Sequence, residues 1–117
     1  MTNDSSELYF ALDQFIGARE VQEDSLSHSK NLKLNDLICD LFCLADGMGG
    51  HAAGDLASKL AIESAISHIK SSKKEDISRI LFDATTFANK AIANKVRENN
   101  KLEGMGCTLI LTIILEN

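Results

Sequence analysis

A carboxylate and three glycines follow an apolar stretch near the middle of the chain. Asp46 comes directly after residues 37–45, which are apolar except for Asp40, and Gly47, Gly49 and Gly50 follow it. A carboxylate at the end of a buried strand is costly unless a cation meets it. Glycines allow the backbone to approach a ligand closely. The segment therefore predicts an oxygen-lined site for a metal ion or a phosphate at the end of a strand.

A second pair of acids, Glu23 and Asp24, begins another predicted strand, shortly after Arg19. If the two strands are neighbours, Asp24 and Asp46 approach each other, and two close carboxylates repel unless a cation or a proton lies between them. Magnesium and manganese prefer oxygen ligands such as these carboxylates and the carbonyl of Gly47. Two ions about 3.5–4 Å apart turn a bridging water into a nucleophile near neutral pH. Because an arginine can grip a phosphate with two hydrogen bonds, these residues indicate metal-assisted hydrolysis of a phosphate ester.

Composition narrows the class of protein. The chain has 117 residues, 44% of them hydrophobic and 25% charged, with a net charge of −5. This length suits one domain or part of one. The negative charge and the lack of a basic stripe argue against a nucleic-acid partner. The longest apolar run, 109–115, is too short to cross a bilayer, so no membrane partner is expected.

The three cysteines and the first residues bear on the compartment. Cys39, Cys43 and Cys107 form no CxxC pair, which argues against a disulfide framework or a zinc site. We expect buried, reduced thiols, as in a reducing compartment. Residues 1–7 are polar and acidic rather than a signal peptide. The sequence therefore predicts a cytoplasmic protein.

The elements that must position the acids follow from apolar periodicity. The pattern predicts strands over 9–16, 24–29, 37–45 and 108–115, with a hairpin loop over 29–36 and the third strand buried on both faces. Helical spacing predicts one helix over 56–69 and a second that starts near Glu75 or Asp76 and ends near 98–100. The order β-β-β-α-α-β predicts an α+β fold, with an antiparallel helix pair on one face of a largely antiparallel sheet. The abrupt end after the last strand suggests a piece of something longer.

Three segments carry a resemblance to a known family. Residues 19–24 (REVQED), 45–51 (ADGMGGH) and 104–109 (GMGCTL) resemble, in order and spacing, the successive N-terminal motifs of the metal-dependent, PP2C-type protein phosphatases in their bacterial form. Gln22 stands where the family usually has asparagine, and Cys107 stands where threonine is common. The resemblance implies a layered sandwich of two antiparallel sheets flanked by helix pairs. Residues 1–117 would be the N-terminal portion of that domain, about its first half.

The resemblance also implies a role for each candidate residue. Asp46 would bridge two manganese or magnesium ions, and Gly47 would offer its carbonyl to one of them. Asp24 would lie beside the metals and orient a bound water. Glu23 would ligate directly or through water, and Arg19 would hold the substrate phosphate.

The implied activity is hydrolysis of phosphoserine and phosphothreonine in proteins by a metal-activated water, with phosphorylated proteins, protein kinases among them, as partners. Two departures matter. Met48 stands where some relatives carry a histidine that is a candidate general acid, so no residue takes that role. The family's later motifs, a Gly-Asp-Ser-Arg turn and two further metal-binding aspartates, cannot be placed here. We therefore expect the isolated chain to be inactive or nearly so. The sequence indicates no oligomeric state.

Two other interpretations compete with the phosphatase. Residues 47–52 fit the dinucleotide fingerprint G-x-G-x-x-A, but Asp46 would put a carboxylate beside the pyrophosphate, and hairpins rather than helices precede the strand. The other alternative is an inactive phosphatase-like module that binds phosphoproteins or partner proteins. The short length of the chain favours this inactive module, whereas the presence of Arg19 and of the acids expected near the metals argues against it. His51 is expected to be structural rather than catalytic.

Overall fold

The structure is a computed structural model that describes residues 8–50, 53–73 and 76–116. Its elements in chain order are β1 (Asp24–Leu34), β2 (Leu37–Met48), α1 (Ala53–Ser71), α2 (Ile77–Glu98), a short 3₁₀ turn (Asn100–Leu102), β3 (Gly106–Cys107) and β4 (Ile110–Leu115). The antiparallel sheet and the helix pair confirm the predicted α+β architecture. No helix of the described ranges is both long and apolar enough to span a membrane.

The sheet is built around β2. On one side β2 pairs antiparallel with β1, and on the other side it pairs antiparallel with β4 and then with the two-residue β3. The tight turn between β1 and β2 uses Asn35 at a φ of 54°, a conformation that asparagine tolerates better than most residues. The helix hairpin α1–α2 therefore connects the central strand to its neighbour on the β3–β4 side.

The core lies between one face of this sheet and the two helices. Alternate residues of β2, namely Cys39, Leu41, Cys43 and Ala45, are almost fully buried on that face. Burial raises the pKa of the Cys43 thiol to about 11. Helix α1 packs against them with the small residues Ala57, Ala61 and Ala65, which let it lie close to the sheet. The cysteines are free, and Cys39 and Cys43 are buried, as the sequence predicted.

The opposite face of the sheet is largely open. Its apolar side chains Ile38, Leu44, Ile110 and Ile114 are 41–56% exposed. Within the described residues, the ring of Phe10 covers part of this face, 5.0 Å from the Phe42 ring in an edge-on arrangement. The prediction that the strand over 37–45 is buried on both faces is therefore wrong for this chain. Its continuous apolar run supplies a core face and an open apolar face.

The predicted strand over 9–16 is also wrong. Residues 8–16 have no regular structure, and Tyr9 and Phe15 are 83% and 89% exposed. β-branched and aromatic residues favour a strand only where a partner strand offers its backbone. The described elements give this segment no such partner.

The predicted hairpin loop over 29–36 is mostly strand. β1 continues to Leu34, and only Asn35 and Asp36 form the turn. A bulge between Ser29 and Leu32 shifts the alternation of side chains. Leu32 consequently packs against the core, and Leu34 is 1% exposed.

The helices match their predicted positions closely. Asp76 is the N-cap of α2, and its carboxylate accepts a hydrogen bond from the backbone N–H of Ser78 at 2.9 Å. Glu75, the other predicted start, and Lys74 lie outside the described residues. The predicted last strand begins at Ile110 rather than at Thr108. The two residues before it keep the register of β3 and β4 against β2, and Thr108 contacts the candidate site through the backbone of Asp46.

Candidate metal and phosphate site

Asp24 and Asp46 are partners in the β1–β2 ladder. The backbone N–H of Gly47 donates to the carbonyl of Glu23 at 3.2 Å, which makes Glu23 and Gly47 a hydrogen-bonded pair. In an antiparallel ladder the next pair is non-hydrogen-bonded, and its side chains are the closest of any directly opposed residues. The hairpin therefore brings the two carboxylates together, as the sequence predicted.

The backbone of Asp46 is fixed from the opposite side. Its N–H donates to the hydroxyl of Thr108 at 3.1 Å, and its carbonyl accepts from the N–H of Thr108 at 2.9 Å. The register against β2 is the same on both sides of residue 108, and the hydroxyl of Thr108 takes the place of its carbonyl as the acceptor, which interrupts the regular ladder between β3 and β4. Sequence reasoning gave Thr108 no role, although it lies in the third motif.

The two carboxyl groups are electrostatically linked. Partial burial raises the pKa of Asp24 above its ordinary value of 3.8, and the hydrogen bond to Asp46 and the negative charge of Asp46 raise it further. The nearby Arg19 opposes this shift, and Glu23 adds to it. Asp24 consequently holds its proton more tightly than a lone aspartate would. A divalent cation between the two carboxylates would offset their repulsion.

Glu23 and Arg19 lie beside this pair. A guanidinium nitrogen of Arg19 is 3.7 Å from a carboxylate oxygen of Glu23. The Arg19 side chain is 72% exposed, so this ion pair is weak and leaves the guanidinium accessible to an anion. Glu23 is more enclosed, at 21% exposure.

Two glycines bring the start of α1 against the end of β2. A Cβ on Gly47 would collide with the carbonyl group of Gly54 and would lie 2.8 Å from the carbonyl oxygen of Glu23. A Cβ on Gly54 would lie 2.9 Å from the carboxylate of Glu23. Only glycine fits at either position, and the contact forms a cradle that holds Glu23 and the Gly47 backbone beside the acid pair. Sequence reasoning missed Gly54, whose signal was a glycine inside the first turn of a helix.

A buried hydroxyl pair anchors α1 to β1 next to Asp24. The hydroxyls of Ser25 and Ser58 are 2.9 Å apart, and Ser58, which is 0% exposed, donates to the carbonyl of Asp55 at 3.1 Å. The hydroxyl of Ser25 is then the donor to Ser58. This bond satisfies the buried polar group and holds the helix beside the first residues of β1.

The donors fit a hard divalent cation. Asp24, Asp46 and Glu23 supply carboxylate oxygens, and Gly47 supplies a backbone carbonyl, which are the ligand types of magnesium and manganese. No three acidic, histidine or cysteine side chains converge into a complete cluster within the described ranges. The four groups thus fit part of a ligand set. His51 lies outside the described residues, whereas Met48 is 63% exposed at the end of β2.

Known proteins similar to this chain are bacterial phosphatases, although no family model matches it. The chain is 44% identical over 78 residues to the serine/threonine protein phosphatase PstP of Mycobacterium tuberculosis. This match covers 66% of the chain and 15% of PstP. It is 35% identical over 78 residues to the serine/threonine phosphatase stp of Listeria monocytogenes, covering 63% of the chain and 31% of stp. The chain therefore spans less than a third of the length of these curated relatives.

Solved structures agree with the sequence comparison. The crystal structure of PstP/Ppp from M. tuberculosis superposes with a TM-score of 0.68 at 36% identity, over 83% of this chain and 37% of that one. The PstP catalytic domain in complex with two manganese ions superposes with a TM-score of 0.69 at 36% identity, over 85% of this chain and 39% of that one. The serine/threonine phosphatase of S. agalactiae superposes with a TM-score of 0.66 at 27% identity, over 88% of this chain and 42% of that one. In sequence and in fold, the chain is similar to bacterial serine/threonine phosphatases, over less than half the length of their solved chains.

Proposed function

We propose that these residues form the metal- and phosphate-binding part of a phosphatase that hydrolyses phosphoserine and phosphothreonine in proteins. The observation that carries the proposal is the pairing of Asp24 with Asp46 across the hairpin, since two carboxylates in this arrangement suit a shared divalent cation. The relatives named as serine/threonine phosphatases support the reaction class. The PstP domain with two manganese ions supports the choice of manganese or magnesium.

The bound metals would lower the pKa of a shared water, so that it can attack phosphorus directly. Asp46 would contact both ions, and the carbonyl of Gly47 and the carboxylate of Glu23 would complete part of the shell. The Asp24 carboxylate would accept a hydrogen bond from the attacking water and align it. The exposed guanidinium of Arg19 would bind the non-reacting phosphate oxygens and offset their charge.

We also propose that residues 1–117 correspond to the N-terminal portion of a phosphatase domain and have little or no turnover alone. The described residues supply only part of an octahedral ligand set. The solved relatives are more than twice as long as the segment they share with this chain. Phosphorylated proteins, kinases among them, are the proposed partners.

The test combines manganese binding with turnover on the 117-residue chain. Calorimetric titration should show manganese binding, and a phosphothreonine peptide should be hydrolysed far more slowly than by a full-length relative assayed in parallel. Lack of any manganese binding would refute the metal site. Rapid hydrolysis by the isolated chain would refute its proposed inactivity and leave the reaction class intact.

The second candidate is a module that binds phosphoproteins without hydrolysis. The exposed Arg19 beside the acid pair favours it, because phosphate binding needs the cation but not a complete metal shell. Binding of a phosphothreonine peptide, measured by fluorescence anisotropy with manganese and without turnover, would support this candidate. Equal affinity for the unphosphorylated peptide would exclude it.

A further inference from the structure

A groove of about 650 Å³ follows the outer edge of β1 and reaches the candidate site at Asp24. Leu26 lies along one wall, and Ile62 and Ile66 of α1 contribute apolar surface to the other. In the part of the chain that the structure describes, β1 pairs only with β2, so the strand presents a free edge to this groove. A volume of this size suits a ligand of several residues.

The hydrogen-bonding phase of β1 directs backbone groups into the groove. Leu26 is opposite Leu44, two residues along from the pair of Asp24 and Asp46, and so it shares their non-hydrogen-bonded phase. Its N–H and C=O consequently point away from β2, and within the described ranges they meet no hydrogen-bonding partner. The outward N–H of Asp24 donates to the side-chain oxygen of Gln22 at 3.3 Å, so this group already has a partner within the chain. The edge is therefore suited to pairing with an added strand.

The charge of the groove selects the kind of strand. Its lining contains four carboxylates, those of Glu20, Asp24, Asp55 and Glu63, and one ammonium group, that of Lys59. Lys59 is held by Asp55 at 3.0 Å, which leaves the other acids without a cation from this groove. Carboxylates along an open strand edge attract arginine and lysine side chains and repel acidic ones.

We propose that this groove binds an extended segment of the protein substrate, bearing arginine or lysine, as a strand added to the edge of β1. The added strand delivers its phosphorylated residue to the end of β1, beside Asp24. Backbone pairing supplies affinity for any extended segment, and the acids select basic ones. The identification of the bound segment as a substrate rests on the proposed phosphatase function, whereas the binding itself does not.

Anisotropy titration of the 117-residue chain with fluorescent eight-residue peptides tests the proposal. One peptide carries two arginines, and its partner carries two glutamates at the same positions. We expect the basic peptide to bind at least fivefold more tightly. Glu63→Lys should lower the affinity for the basic peptide about fivefold, the scale of one or two exposed charge interactions. Glu98→Lys, the same change at an exposed site at the end of α2, should leave its affinity unchanged.

A second variant tests the backbone contact. Leu26→Pro removes an outward-pointing N–H, a change that an edge strand tolerates. It should lower the affinity for both peptides. Thermal unfolding followed by circular dichroism confirms that the variant is folded. Equal affinity for the two peptides, or equal weakening by Glu63→Lys and Glu98→Lys, would overturn the groove proposal. If a phosphothreonine in the basic peptide adds no affinity in manganese while the groove variants behave as expected, the groove stands and the proposed substrate assignment fails.

Discussion

Asp24 and Asp46 lie directly opposite each other in the β1–β2 ladder. Both residues belong to one hairpin, so their separation depends on local pairing rather than on the packing of distant elements. Two further contacts hold this end of the hairpin, one from Thr108 to Asp46 and one from Gly54 to Gly47. The acid pair is thus built into the hairpin and supported from both sides.

Replacing Asp46 by asparagine should reduce manganese affinity by at least tenfold, the scale seen when groups that tune a metal site are removed. Asparagine keeps the shape of the side chain but removes the negative charge that a divalent cation requires. Isothermal titration with manganese measures the effect. Asp36→Asn, at the exposed turn of the same hairpin, is the matched control and should bind like the wild type. Equal affinities for all three proteins would exclude Asp46 as a ligand.

Asp24→Asn should stabilise the metal-free chain at neutral pH by roughly 0.5 kcal/mol, the scale of a directly opposed cross-strand pair. The pKa of Asp24 is raised in the folded state, so the folded chain binds this proton more tightly than the unfolded chain. Ionised Asp24 therefore opposes folding above its raised pKa, and the penalty disappears as the pH falls below 3.8.

Urea unfolding in the presence of a chelator, at several pH values, measures this difference. The stability gained by Asp24→Asn should grow as the pH rises from about 3.5 to 7. Asp36→Asn, which lacks an opposed acid, serves again as the control. A gain that is constant across this range would argue against the raised pKa of Asp24.

Gly54→Ala should destabilise the chain by about 1–3 kcal/mol, the usual cost of forcing extra atoms into a packed contact. Alanine normally favours a helix over glycine by about 1 kcal/mol, so a loss of stability would identify the clash with Glu23 and Gly47. Manganese affinity should fall as well, because Glu23 must move.

The control for this substitution lies four residues earlier, in the turn before α1. A Cβ on Gly50 would meet no atom of the described residues within 4 Å, and its φ does not require glycine. Gly50→Ala should therefore change the free energy of unfolding by less than about 0.5 kcal/mol. If both variants unfold at the same urea concentration, the cradle between β2 and α1 does not limit packing.

Arg19→Ala should weaken the binding of inorganic phosphate, in saturating manganese, by about tenfold, because a charge-assisted bidentate contact is lost. Arg19→Lys should restore little of this affinity, since lysine cannot form the planar fork. Equilibrium dialysis with labelled phosphate measures the affinity. Arg97→Ala, on the exposed end of α2, should bind phosphate like the wild type. Wild-type affinity in Arg19→Ala would assign the phosphate to another cation.

The acid pair could be predicted from the sequence because antiparallel neighbours connected by a short turn leave little freedom in where their ends meet. The helices could be predicted for a similar reason, since their signal is the periodicity of one continuous segment. The strand proposed over 9–16 shows the limit: its apolar residues fit a strand, but a strand also needs a partner edge. Gly54 and Thr108 show another limit, because each acts through a contact with a residue distant in the sequence.

The bulge between Ser29 and Leu32 has a consequence for natural sequence variation in this hairpin. A single-residue insertion or deletion elsewhere between positions 24 and 46 would slip the pairing by one step and turn one of the two acids towards the helices. A bulge absorbs an additional residue without carrying the slip further along the ladder. Homologues that retain both acids should accordingly differ in hairpin length by paired changes, or at this one position.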